Sequence, residues 1–179
     1  FALGSRRPAG FNALKKPRIG LYKSFQPAMD EGWTRWILEN FGWEYTSVGN
    51  SVIRAGNLRN NFDVIVFADQ SASSIHTGYR AGVMPEEFTG GLGKEGAEAL
   101  KQFAESGGRL VFFNDSTEYA VERLDIKAKN ALRGVSNRDF YSPGSLLNVK
   151  LEPGSPLGLG LPAEFTVWNE HSPVWEMED

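Results

Sequence analysis

Four short strand-like runs, separated by segments of helical length and period, constrain this chain more than any other feature of its sequence. The runs cover residues 18–22, 44–48, 62–67 and 109–113, and the third, Phe62-Asp63-Val64-Ile65-Val66-Phe67, is apolar enough to be covered on both faces. Between the first two, Trp33, Trp36, Ile37 and Phe41 recur at helical spacing. Asp30 and Glu31 favour the start of that helix and Gly42 its end, which predicts an amphipathic helix over 30–41. Asn50 is placed to cap a short helical turn. Residues 95–105 form a second predicted helix, with Ala97, Leu100 and Ala104 on one face and Gly107-Gly108 as its stop. Short strands alternating with helices imply a mostly parallel sheet, right-handed crossovers and helices on both faces, that is, a doubly wound α/β fold.

Beyond Asn114 the pattern loosens. Residues 117–132 read as helix and 146–151 and 165–168 as strands, with Pro153, Pro156 and Pro162 breaking the region between the strands. No closing helix precedes Asp179, so the expectation is a fold that is C-terminally incomplete or whose last segment docks elsewhere. Residues 1–16 mix Gly, Pro and basic side chains without periodicity and read as a linker or N-terminal arm, leaving 17–179 as one α/β domain. The chain opens on Phe1 without a charged-then-apolar leader, which reads as a piece of a longer polypeptide or a processed product.

Composition removes several classes of function. At 179 residues the chain suits one domain with a real core. A net charge of −3 gives no basic field for phosphate backbones, so no nucleic-acid partner is expected, and no apolar run is long enough to cross a membrane. The absence of cysteine excludes disulfides, thiolate metal ligands and a thiol nucleophile. Only His76 and His171 offer imidazoles, neither has a close histidine partner, and neither begins a His-x-x-Glu motif, so no catalytic zinc is expected within this chain.

In open parallel sheets the ligand crevice lies beyond the C-terminal strand ends. That rule selects residues 23–31, 68–93 and 114–117, which offer Ser24, Asp30, Asp69, Gln70, His76, Asn114, Asp115 and Ser116 as candidates. Each is also a side chain that caps helices or satisfies loop backbone. Ser116 sits where a nucleophile elbow would, between a buried strand and a helix, but it lacks the flanking glycines of such an elbow and reads better as a cap. The carboxylate pairs Asp30-Glu31 and Glu86-Glu87 are adjacent in sequence, a solvated or capping pattern more than an acid/base pair. Gly90-Gly91-Leu92-Gly93 could cradle an anion on backbone N–H groups, yet it lacks the lysine and hydroxyl of a phosphate loop and reads as a flexible approach to the next helix.

Three stretches carry a family resemblance: residues 18–24 (Arg-Ile-Gly-Leu-Tyr-Lys-Ser), 29–36 (Met-Asp-Glu-Gly-Trp-Thr-Arg-Trp) and 86–93 (Glu-Glu-Phe-Thr-Gly-Gly-Leu-Gly). Together with Gly107-Gly108-Arg109-Leu110-Val111 and Asn169-Glu170-His171-Ser172-Pro173-Val174, they resemble the class I glutamine amidotransferase-like accessory domain of bacterial zinc carboxypeptidases. The resemblance implies a flavodoxin-like sandwich, a peptidase domain of the same polypeptide as partner, zinc held in that peptidase domain, and a secreted or periplasmic location. Amidotransferases of this class use an elbow cysteine, which by strand order would fall at 114–116. No cysteine exists here, so the glutaminase mechanism is excluded, and no catalytic residue of the peptidase has a matching position.

Three readings follow from the residues and the resemblance. The first is a non-catalytic accessory domain of a zinc carboxypeptidase. The second is a hydrolase dependent on Ser116, or on the acidic loops with a metal from solvent. The third is a module binding a peptide, a sugar or another small molecule through Trp33, Asp69, Gln70 and His171 around the sheet crevice.

Overall fold

A computed structural model describes residues 15–158 and 160–178. Most of the expected N-terminal arm lies outside the described residues. The central sheet has four parallel strands, β1 (Ile19–Tyr22), β2 (Tyr45–Val48), β3 (Val64–Phe67) and β4 (Arg109–Phe112), in the order β2-β1-β3-β4. Parallel neighbours need crossovers. They are supplied by α1 (Met29–Asn40), α2 (Asn50–Arg54), α3 (Ala72–His76) and α4 (Gly93–Glu105), and α5 (Ser116–Arg123) follows β4.

Register places Tyr22, Val48, Ile65, Phe67, Leu110 and Phe112 on one face of this sheet. Against that face pack Ile53 of α2, Ile75 of α3, Leu100 and Phe103 of α4 and Tyr119 of α5, with Leu58, Phe62 and Leu92 filling between them. Phe67 stacks on Phe112 with ring centroids 4.5 Å apart and lies 4.7 Å from Tyr22. Gly20 faces the same side because a Cβ there would stand 2.9 Å from Val48 Cγ2 and 3.1 Å from the Phe62 ring. The reverse face carries Leu21, fully buried, with Val64, Val66 and Val111 only half-buried. Helix α1 packs against β1 and stands outside the main cluster.

The N-terminal strand ends are held by charge. Asp63 accepts three hydrogen bonds of 3.0 Å from Arg18, one from the backbone N–H and two from the guanidinium, and one of 2.5 Å from Arg59. Its carbonyl accepts from the Arg109 N–H at 3.0 Å. One residue thereby joins the starts of β1, β3 and β4.

Several expectations need correction. Residues 68–93 are not a free loop: they contain α3 and a 3₁₀ turn at Glu86–Phe88, and Tyr79 bridges to Gly90. The glycine run there is packed tightly, since Gly90 N–H donates to Tyr79 O and Leu92 N–H to Ile75 O, both at 2.8 Å. Those two amides are committed to backbone carbonyls and are not open to an anion. The second predicted helix buries Gly96, Ala97, Ala99, Leu100 and Phe103, whereas Ala104 is exposed. The helix expected over 117–132 stops at Arg123, because Asp125 takes a positive φ of 57° and the chain then enters β5 (Ala128–Asn130). That strand pairs antiparallel with β8 (Trp175–Met177), a short partner at the far end of the chain. The two later strands form an antiparallel pair, β6 (Ser145–Lys150) with β7 (Glu164–Asn169).

Two measurements check this account. A Cβ at Gly91 would lie 2.5 Å from the His76 carbonyl carbon and oxygen and from the Ile75 oxygen, all backbone. Gly91→Ala is therefore expected to lower the unfolding free energy by about 1–3 kcal/mol, the usual cost of overpacking, in urea titration. The hydrogen bonds from Arg18 and Arg59 hold the Asp63 carboxyl well below the usual carboxylate range. A depressed folded pKa stabilises above the unfolded value and loses that contribution as pH falls below it. The midpoint of thermal unfolding should thus drop on acidification below about pH 4, and Asp63→Asn should lower it near neutrality while flattening its fall with acid.

Candidate functional site

The order β2-β1-β3-β4 puts the topological switch point between β1 and β3, and a recess of about 330 Å³ opens beyond their C-terminal ends. Its walls come from the segment after β1, the first turns of α1, and Ala68 and Gln70 after β3. Ser24 and Gln70 meet there: Gln70 Nε2 donates to Ser24 Oγ at 2.8 Å and to the Gln26 carbonyl at 3.3 Å, and Ser24 Oγ donates to that same carbonyl at 2.8 Å. Phe25 and Met29 supply apolar surface. Glu31, 6% exposed, and Arg35, one turn on, also line the recess, with Arg35 Nε 3.3 Å from Glu31 Oε1.

A second cluster sits at the turn after β4. Asn114 adopts φ +48°, a left-handed conformation that asparagine tolerates better than most side chains. Its Nδ2 donates to Asp69 Oδ2 at 2.8 Å and to the Glu170 carbonyl at 3.3 Å. The Asp115 N–H donates to Asp69 Oδ1 at 3.0 Å, so one carboxylate brackets the turn with both oxygens. Burial, then the charges of Asp69 and Glu118, raise the Asp115 pKa, and His171 acts in the opposite sense. Ser116 is fully buried, its Oγ 2.6 Å from the Phe113 carbonyl and 3.2 Å from the Phe67 carbonyl. That hydroxyl ties two strand ends to the helix and presents no lone nucleophile to solvent.

The remaining candidates fall elsewhere. His171 is exposed, has φ +50°, donates its backbone N–H to the Ser142 carbonyl at 3.0 Å and sets its ring 6.1 Å from Tyr141. With Asn169 and Ser142 it lines a small recess of about 120 Å³. Asp30 is exposed on α1, and Trp33 points outward, edge-on to Trp36 at 6.2 Å. Burial lowers the His76 pKa, and its Nδ1 has no hydrogen-bond partner beside Tyr119, whose buried hydroxyl is pushed up to about 12. Among the described residues no three or more His, Asp or Glu side chains gather as a metal site, and no helix is long and apolar enough to cross a membrane.

The structure thus joins Ser24 with Gln70, and Asp69 with Asn114 and Asp115, and separates both groups from Asp30 and Trp33. Sequence reasoning missed Gln26, Glu31 and Arg35. The signal for the last two was their spacing of four, off the tryptophan face of α1.

No protein-family model matches this sequence, and no curated protein is similar to it at a significant level. Several solved structures share its fold, and two of them illustrate the likeness. One, from Thermoplasma acidophilum and assigned to GMP synthase, is 11% identical over 91% of this chain and 68% of its own, with a TM-score of 0.51. The other, a ThuA-like protein from Bacteroides uniformis ATCC 8492, is 13% identical over 95% of this chain and 64% of its own, with a TM-score of 0.50. The four-stranded parallel sheet with flanking helices and the likeness to these neighbours give the chain the class I glutamine amidotransferase-like form of the flavodoxin-like fold.

Proposed function

We propose that this chain is a non-catalytic, amidotransferase-like accessory domain of a larger protein. The parent implied by the sequence resemblance is a secreted or periplasmic zinc carboxypeptidase, with zinc and catalysis in a separate peptidase domain. The observation that carries the non-catalytic part is the turn after β4. Where this fold would hold a cysteine, Asn114 is fixed to Asp69, and the neighbouring Ser116 hydroxyl is committed to backbone carbonyls. A glutaminase needs a thiolate that can form a thioester, and this turn offers a structural amide instead.

A second reading is favoured by the switch-point recess. Ser24, Gln70, Glu31 and Arg35 supply donors and acceptors beside Phe25 and Met29, the mixture of a few polar groups and apolar wall that small-molecule sites share. In this reading the accessory domain holds a peptide end or a sugar for its parent.

Three tests follow. The parental reading frame is expected to encode a His-x-x-Glu peptidase domain upstream of Phe1, and a start codon immediately before Phe1 would sink the peptidase assignment. Purified chain should release no ammonia from glutamine, and Asp69→Ala should cost about 1–3 kcal/mol of stability by stripping two donors of their acceptor, read from urea denaturation. Calorimetric titration with short peptides and monosaccharides tests the recess: saturable binding abolished by Gln70→Ala supports it, and no heat with either ligand class removes it.

A further inference from the structure

Helix α1 is amphipathic in the wrong sense for a helix lying on a sheet. At 3.6 residues per turn, Met29, Trp33, Trp36 and Ile37 fall within about 100° of arc. They are 75%, 57%, 56% and 49% exposed, and Phe41 just past the helix end is 75% exposed. The buried residue of this helix is Glu31, on the opposite side, held by Arg35. Outward-facing tryptophans on a helix that buries a carboxylate mark an interface.

We infer that this stripe is a two-fold interface between copies of the chain, formed by antiparallel α1 helices. The two ends of the stripe are complementary. At the N-terminal end Met29 projects beside the exposed carboxylate of Asp30. At the C-terminal end a recess of about 430 Å³ is lined by Lys15, Lys16, Pro17, Phe41, Gly42 and Trp43. Lys16 Nζ sits 3.5 Å from the Gly42 carbonyl and 3.7 Å from Glu44 Oε2, so this end carries two lysines against one exposed carboxylate and keeps a net positive charge. Twelve residues of helix separate the ends by about 18 Å. A two-fold axis near Trp33 and Trp36 sets Met29 of each copy into the recess of the other, opposes Asp30 to Lys15 and Lys16, and aligns the helix dipoles antiparallel. A closed pair needs this self-complementarity of one patch. The area is also adequate. With about 150–250 Å² in a large aromatic side chain, the exposed parts of Met29, Trp33, Trp36, Ile37, Phe41 and Trp43 offer on the order of 600 Å² per copy, and the charged rim brings this towards the roughly 800 Å² typical of a stable interface.

Sedimentation of the full chain over a concentration series decides the matter. The expected result is a reversible dimer, with Trp36→Glu raising the dissociation constant at least ~30-fold, as for a central aromatic anchor. Because Trp36 is exposed, that variant should keep the wild-type circular dichroism and, at concentrations low enough for both proteins to be monomeric, the wild-type melting curve. Lys16→Glu and Asp30→Lys should each weaken the dimer by about two- to fivefold, and the doubly reversed variant should recover it. A chain that stays monomeric at every concentration overturns the inference and leaves the stripe for another domain. A dimer indifferent to Trp36→Glu overturns it as well, and failure of the double reversal to recover binding overturns the antiparallel arrangement.

Discussion

Phe67 stands at the centre of the aromatic column on which the core depends. Its ring stacks on Phe112 from the neighbouring strand, meets Tyr22 from the strand on the other side, and lies 6.3 Å from Tyr119 of α5. One side chain thus couples three of the four central strands to the helix that follows them. It does so because parallel register brings residues 22, 67 and 112 to the same face and level. Since side chains alternate with period two, a one-residue slip of β3 would turn Phe67 to the reverse face, where Val64 and Val66 are only half-covered.

The same strand ends set the candidate site. Phe67 is followed by Ala68, Asp69 and Gln70, and Phe112 by Phe113 and Asn114, so the residues that leave the column are those that build the crevice. Gln70 turns towards the segment after β1 and Asp69 towards the turn after β4, which makes one loop the wall of two separate arrangements. In the second of these, a carboxylate with both oxygens engaged by N–H groups holds a left-handed asparagine in place.

Much of the fold was legible in the sequence, and where it was not the cause is specific. The four central strands and α1 and α4 came from periodicity and terminal signals, all local properties. The C-terminal limit of α5 did not, because residues 124–132 have ordinary helical composition and are drawn into β5 only by pairing with residues 175–177. The Gly90–Gly93 run looked open because glycine suggests freedom. For Gly91 the reason emerges only beside the His76 carbonyl, which leaves no room for a Cβ. For the site, Ser24, Asp69, Gln70 and Asn114 were reachable from the rule that loops after parallel strands carry function. Glu31 lies within the first of those loops but reads there as a charge favouring the helix start, and Arg35 lies beyond it on α1.

The sequence by itself determined the parallel α/β architecture and the absence of a cysteine nucleophile, because these depend on residue identity and short-range period. Only the tertiary structure decided which way α1 faces. The same four apolar positions satisfy a helix buried on a sheet and a helix that shows its tryptophans to a partner. The choice rests on the Glu31–Arg35 pair finding its place beside β1, and a contact between distant segments leaves no periodic mark in the chain.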